Sequence, residues 1–185
     1  AVRMVEQAEK GLANQQKREA LREQFEQLQQ RVPKLRGEYR HAEAIEELEQ
    51  LAGINDEKLT NHIEWTSQQV EVIREEYQEL LETQNRLQAA ARESLGQYKY
   101  DEAVQLLDQV PVPIQDHDTK ALAVDAQQKA SESAELLSTI QDRAENRELD
   151  GLMELVELAL ELHPNREDLQ KIKGQLEEKQ ESLGL

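Results

Sequence analysis

The chain has 185 residues, 33% of them charged, and a formal net charge of −17. With no Cys it can build no disulfide framework, thiolate metal site or cysteine nucleophile, and no stretch approaches the roughly 18 uncharged apolar residues of a membrane span. So acidic a body repels phosphate backbones and anionic bilayers, which argues against nucleic-acid binding and against a membrane-bending crescent.

Glu, Gln, Leu, Ala, Lys and Arg dominate, while Gly (7) and Pro (4) are scarce, so long helices broken at few points are expected. One Phe, one Trp and four Tyr leave a thin, aliphatic core. A disordered acidic chain is the competing reading, and sustained apolar periodicity decides against it. The start, Ala-Val-Arg-Met-Val-Glu, has neither the pattern of a signal peptide nor an initiator Met, and reads as the front of a piece of something larger. Residues 1–40 hold nine Lys/Arg against six Asp/Glu; the remainder holds 13 against 33. Cytosol is the simpler compartment for a chain without Cys.

Residues 1–33 read as a polar N-terminal helix, with Val5, Ala8 and Leu12 in one phase and Leu21, Phe25, Leu28, Val32 and Leu35 in a 4-3-4-3 series. The polar run from Asn14 to Glu19 interrupts the stripe, so the front either frays or pairs with a missing neighbour. Pro33 suits a first helical turn, which predicts a boundary at Arg31–Lys34 and a short helix through Leu35, Tyr39, Ala42, Ile45 and Leu48. Gly53 stops that helix, and Asn55 or Asp56 caps the next. From Leu59 to Leu95, apolar and small polar residues keep 3-4 spacing, which predicts one long helix and closes a first hairpin over 34–95.

Gly96 ends the long helix and opens a second hairpin, 96–147. A short helix carries Tyr100, Ala103, Val104, Leu107 and Val110 inward, Pro111-Val112-Pro113 closes it, and Asp116 or Asp118 caps a long helix through Leu122, Ala126, Ser133, Leu136 and Ile140. A third, shorter hairpin over 148–185 starts at Asp150, with Leu152, Leu155, Val156, Leu158, Ala159 and Leu162, turns at His163-Pro164-Asn165, and ends in a helix marked by Leu169, Ile172 and Leu176. The predicted fold class is therefore all-α: an elongated array of helical hairpins with alternating short and long helices, solenoid-like or coiled-coil-like.

Gly37-x-Tyr39 with Ala44-Ile45 and Leu48 recurs as Gly96-x-Tyr98 with Ala103-Val104 and Leu107, 59 residues on. Leu149, Leu155 and Leu158 stand as a fainter third copy, 51 residues beyond Tyr98, Val104 and Leu107. None of these units can bury its stripe without a neighbour. The run Gly96-x-Tyr98-x-Tyr100-Asp101-Glu102-Ala103-Val104-x-x-Leu107, then Val110-Pro111, resembles the helix junction of tetratricopeptide repeats. With Glu148-Leu149-Asp150-Gly151-Leu152 and His163-Pro164-Asn165-Arg166-Glu167-Asp168-Leu169, residues 92–178 resemble helical segments of large planctomycete-type bacterial proteins. There such segments join serine/threonine kinase or similar signalling domains to repeat or formylglycine-generating-enzyme-like domains. The resemblance implies a connector or interaction role.

Catalytic chemistry has little to stand on. Glu38-x-x-His41 matches half of a carboxylate-bridged di-iron site, but no second Glu-x-x-His pair exists, so a solvated Glu and His are expected there. Glu46-Glu47, Glu75-Glu76 and Glu177-Glu178 fall on polar helix faces, where nothing desolvates a carboxyl for acid–base work. Asp116-His117-Asp118 lacks the glycine and later ligands of a calcium loop, and no phosphate loop is present. No catalytic, cofactor or metal residue is expected. Candidate protein-interaction residues are the basic cluster Arg31, Lys34, Arg36 and Arg40, read otherwise as a solvated helix start, and the single Trp65, read otherwise as a half-buried packing residue. The expected function is a non-enzymatic interaction or connector segment whose partners are other proteins or flanking domains of its own chain. The alternative is a coiled coil in which the 59–95 stripe meets a copy of itself, and weak homo-association driven by the charge asymmetry is a further expectation.

Overall fold

The computed structural model describes residues 1–184, of which 85% are helical, with no strand among them. Its helices are α1 (Val2–Gly37), α2 (His41–Ala52), α3 (Thr60–Gly96), α4 (Tyr100–Asp108), α5 (His117–Glu145), α6 (Leu152–Leu162) and α7 (Glu167–Ser182). Single 3₁₀ turns lie at Glu57–Leu59 and Val112–Ile114. The all-α expectation holds because helix formers fill the elements while Gly, Pro and Asp punctuate their ends.

The chain forms two compact units: Ala1–Thr83 with Pro111–Ile114, and Gln84–Val110 with the residues from Gln115 onward. The division falls inside α3 and not at the Gly96 break, because the first half of α3 packs with α1 and α2 while its second half packs with α4 and α5.

In the first unit, Leu28, Val32 and Leu35 of α1 meet Ala44 and Leu48 of α2 and Val70 and Ile73 of α3. Phe25, fully buried, stacks on the His62 ring at 5.3 Å. Pro33 does not begin a helix. The helix runs through it to Gly37, so the boundary expected at Arg31–Lys34 lies a turn later, at Glu38–Arg40. Pro33 removes a single N–H, and the buried Val32 and Leu35 on either side hold the turn in place. Residues 2–17 are helical yet exposed throughout, and the first ion pair to another element is Arg18 to Asp56 at 2.9 Å.

In the second unit Leu107 and Ala103 of α4 pack against Ala91 of α3 and Ala126 of α5. A further cluster joins Ile140 of α5, Leu152, Val156 and Ala159 of α6, and Leu169 and Leu176 of α7. Asp116 caps α5 as expected, its Oδ1 accepting from the Thr119 N–H at 2.7 Å. At α6 the capping position belongs to Gly151 (φ 70°) and not to Asp150.

Three long helices close in the same way. Arg40 N–H donates to Leu35 C=O at 2.8 Å, Lys99 N–H to Ser94 C=O at 2.8 Å, and Glu148 N–H to Arg143 C=O at 2.9 Å. The residue before each, Tyr39, Tyr98 and Arg147, has φ of 58°, 61° and 59°. These are Schellman closures with a non-glycine residue in the left-handed position; Gly37 and Gly96 lie inside their helices, two residues earlier. The closures stand 59 and 49 residues apart, and the third falls on Arg147, not on Leu149 where the fainter sequence match begins. That register aligns Ala103, Leu107 and Val110 with Leu152, Val156 and Ala159, all buried, and leaves Leu158 48% exposed instead of inward.

A left-handed β-carbon costs about 1–2 kcal/mol. Arg147→Gly, at an exposed position, is therefore expected to stabilise the protein by about 1 kcal/mol after the greater entropy of unfolded glycine is discounted. Urea denaturation checks this; an unchanged or lower midpoint means that the arginine side chain stabilises this turn.

Candidate functional site

The basic cluster near the end of α1 is largely consumed within its own unit. Arg31 lies 3.3 Å from a Glu43 oxygen and 2.9 Å from Glu47, and Arg40 lies 3.0 Å from Glu38 and 2.7 Å from Glu43. Arg36 grips Glu76 of α3 with both Nε (3.0 Å) and Nη2. Among the described residues, only Lys34 of the four has no ion pair. These pairs are mostly exposed and screened by solvent, so they add little stability; their main effect is to cancel the cluster's positive field.

Behind Arg36, His41 is buried, against the expectation of a solvated imidazole. Its ring stacks on Tyr77 at 6.1 Å, its Nε2 lies 3.5 Å from Glu76 Oε2, and its buried Nδ1 has no hydrogen-bond partner. Glu38, the other half of the di-iron pattern, turns to Arg40. Arg36, Tyr39, His41, Glu76, Glu79 and Leu80 line an open groove of about 630 Å³. Trp65 is half-buried against the first unit's core, as a packing residue would be.

A polar network in the second unit serves helix joints. Thr119, fully buried, donates its hydroxyl to Gln84 Oε1 at 2.8 Å and accepts from Gln88 Nε2. Gln84 Oε1 also accepts from the Asp116 N–H at 2.9 Å, and Gln88 Nε2 donates to Asp116 Oδ1 at 2.9 Å. These bonds link four residues of α3 and the α5 entry. The Thr119 N–H, and after it the Gln88 side-chain amide, hold the Asp116 carboxyl below the usual carboxylate range against the opposing effect of desolvation.

Gln84 is visible in the sequence as a polar residue on the long seam. Its partners Gln88 and Thr119 are not, although Asp116-x-x-Thr119 at a helix start is the available signal. A second joint ties α4 to the turn before α7: the Tyr100 hydroxyl donates to Leu162 C=O, its ring lies 5.2 Å from His163, and His163 Nε2 bonds Ser133 Oγ of α5. Burial, then the nearby Arg166 charge, holds the His163 pKa below its ordinary value, against Asp168 and Asp101.

Among the described residues no group of three or more His, Asp and Glu side chains is placed to share a metal ion, and no helix is long and apolar enough to cross a membrane. Compared with protein-family models, with curated proteins and with solved structures, the chain matches none.

Proposed function

We propose that the chain is a non-enzymatic scaffold or connector segment of a larger, cytoplasmic signalling protein, holding other proteins or flanking domains of its own polypeptide. The observation that carries this reading is the polar network of Gln84, Gln88, Asp116 and Thr119. These polar groups are spent on fixing how helices join, a use suited to a spacer. The likeness of Gly96–Leu107 to a tetratricopeptide junction points the same way. Against the coiled-coil alternative, every position of the Leu59–Leu95 stripe is buried or half-buried within the chain itself.

In-cell cross-linking with a lysine-reactive reagent tests the proposal. Exposed Lys10, Lys17, Lys34 and Lys120 are expected to link reproducibly to one other protein, or to one other region of the same polypeptide. Links confined to residues 1–185 would remove the basis for a connector, and links joining Lys58 or Lys99, which flank the 59–95 stripe, to the same residue of a second copy would favour the coiled coil.

A further inference from the structure

Two of the uncovered apolar surfaces among the described residues lie in stretches of opposite net charge. One is the front of α1, where Val2, Met4, Val5 and Leu12 are 73%, 75%, 56% and 58% exposed. Val5, Ala8 and Leu12 stand at i, i+3 and i+7, the spacing with which an amphipathic helix anchors in a groove. The repeat shows that this stripe is not set up to receive a short helix of its own array. Shifted by 59 residues, the positions that α3 buries as Thr66, Val70 and Ile73 correspond in α1 to Gln7, Gly11 and Asn14. The exposed apolar residues therefore lie on another face.

The other surface is an open groove of about 640 Å³ among α5, α6 and α7, floored by Leu152 and Leu176 and walled by Leu149, Ile172, Glu178 and Lys179. That volume is within the usual range for a ligand-sized cleft, and Leu149 on its wall is 40% exposed. Residues 1–22 carry five Lys/Arg against three Glu, whereas residues 148–184 carry four Lys/Arg against ten Asp/Glu.

We propose that the α1 arm of one copy seats its Val5–Leu12 face in the α5–α6–α7 groove of a second copy, giving head-to-tail association. Charge complementarity selects this pairing over arm with arm or groove with groove, each of which opposes like net charges. Because the two surfaces differ, the contact is heterologous and adds copies in series. A connector need not self-associate, so failure of this contact leaves the proposed function intact.

Sedimentation velocity on the full chain, from micromolar to about millimolar, decides it. The parent's average mass is expected to rise with concentration, and to rise less at high salt, where the Debye length shrinks to roughly 3 Å at 1 M. The arm variant Val5→Glu/Leu12→Glu and the groove variant Leu149→Glu should each remain at one chain, with unchanged circular-dichroism melts. Should Leu149→Glu melt early, the exposed Gln175→Arg takes its place. An equimolar mixture of the arm and groove variants should form a species of two chains and stop there, since each contributes one intact surface. A parent that stays monomeric, a groove variant that still self-associates, or a mixture that stays monomeric each overturns the proposal.

Discussion

Leu107→Asp is expected to unfold the α4 hairpin, at a cost of about 4 kcal/mol or more. Leu107 is 1% exposed, and its cluster neighbours Ala91, Ala103 and Ala126 offer only methyl groups to a carboxylate. The carboxylate must either lose its hydration without a partner or pull α4 away from α3 and α5. Leu107 is the one large side chain among the buried members of this cluster, with half-buried Leu95 and Leu122 packed around it. Leu107→Ala, which removes that volume and adds no charge, should cost about 2–5 kcal/mol. Leu107→Met, of similar volume, should cost less than about 1.5 kcal/mol. Urea melts that rank the three variants in any other order would show that this stripe is not the packed face of the hairpin.

Thr119→Val should cost about 1–3 kcal/mol, although it keeps the shape of the side chain and adds apolar surface. The hydroxyl is both donor to Gln84 and acceptor from Gln88. After the change Gln84 retains the Asp116 N–H and Gln88 retains the Asp116 carboxylate, so the network is weakened without being emptied. Gln84→Leu should cost a similar amount by leaving the Thr119 hydroxyl and the Asp116 N–H without their acceptor. In the double variant the hydroxyl is gone as well, so the combined cost should fall short of the sum by about 0.5–3 kcal/mol. Additive costs in a double-mutant cycle would show that the four residues do not act as a unit.

Much of the architecture is legible in the sequence, for particular reasons. The 3-4 spacing from Leu59 to Leu95 leaves only a long helix to write, and Gly53, Asp56, Gly96 and Asp116 mark ends where the structure has them. Pro33 misleads because its missing N–H is tolerated inside a helix whose flanking Val32 and Leu35 are anchored in the core. The third repeat is misplaced because leucines are plentiful between Leu149 and Leu162; the left-handed residue that sets the register is Arg147, whose composition announces nothing. The basic cluster reads as an outward patch because its partners, Glu43 and Glu47 on α2 and Glu76 on α3, reach it only through folding. His41 is the same error in reverse: a polar residue at a helix start is expected to be wet, and Tyr77, 36 residues later, covers it.

In the second unit the main packed pairs join elements next to one another in sequence: α4 with α5, α5 with α6 and α6 with α7. Such a topology has low contact order, so little loop-closure entropy is lost before native contacts begin to form. Folding is then fast, and it can nucleate at any hairpin that first buries its stripe. The same locality divides the energy of the chain among small interfaces. The α6–α7 hairpin can open while the α4–α5 pair persists, so amide exchange should grade along the chain instead of falling at one rate.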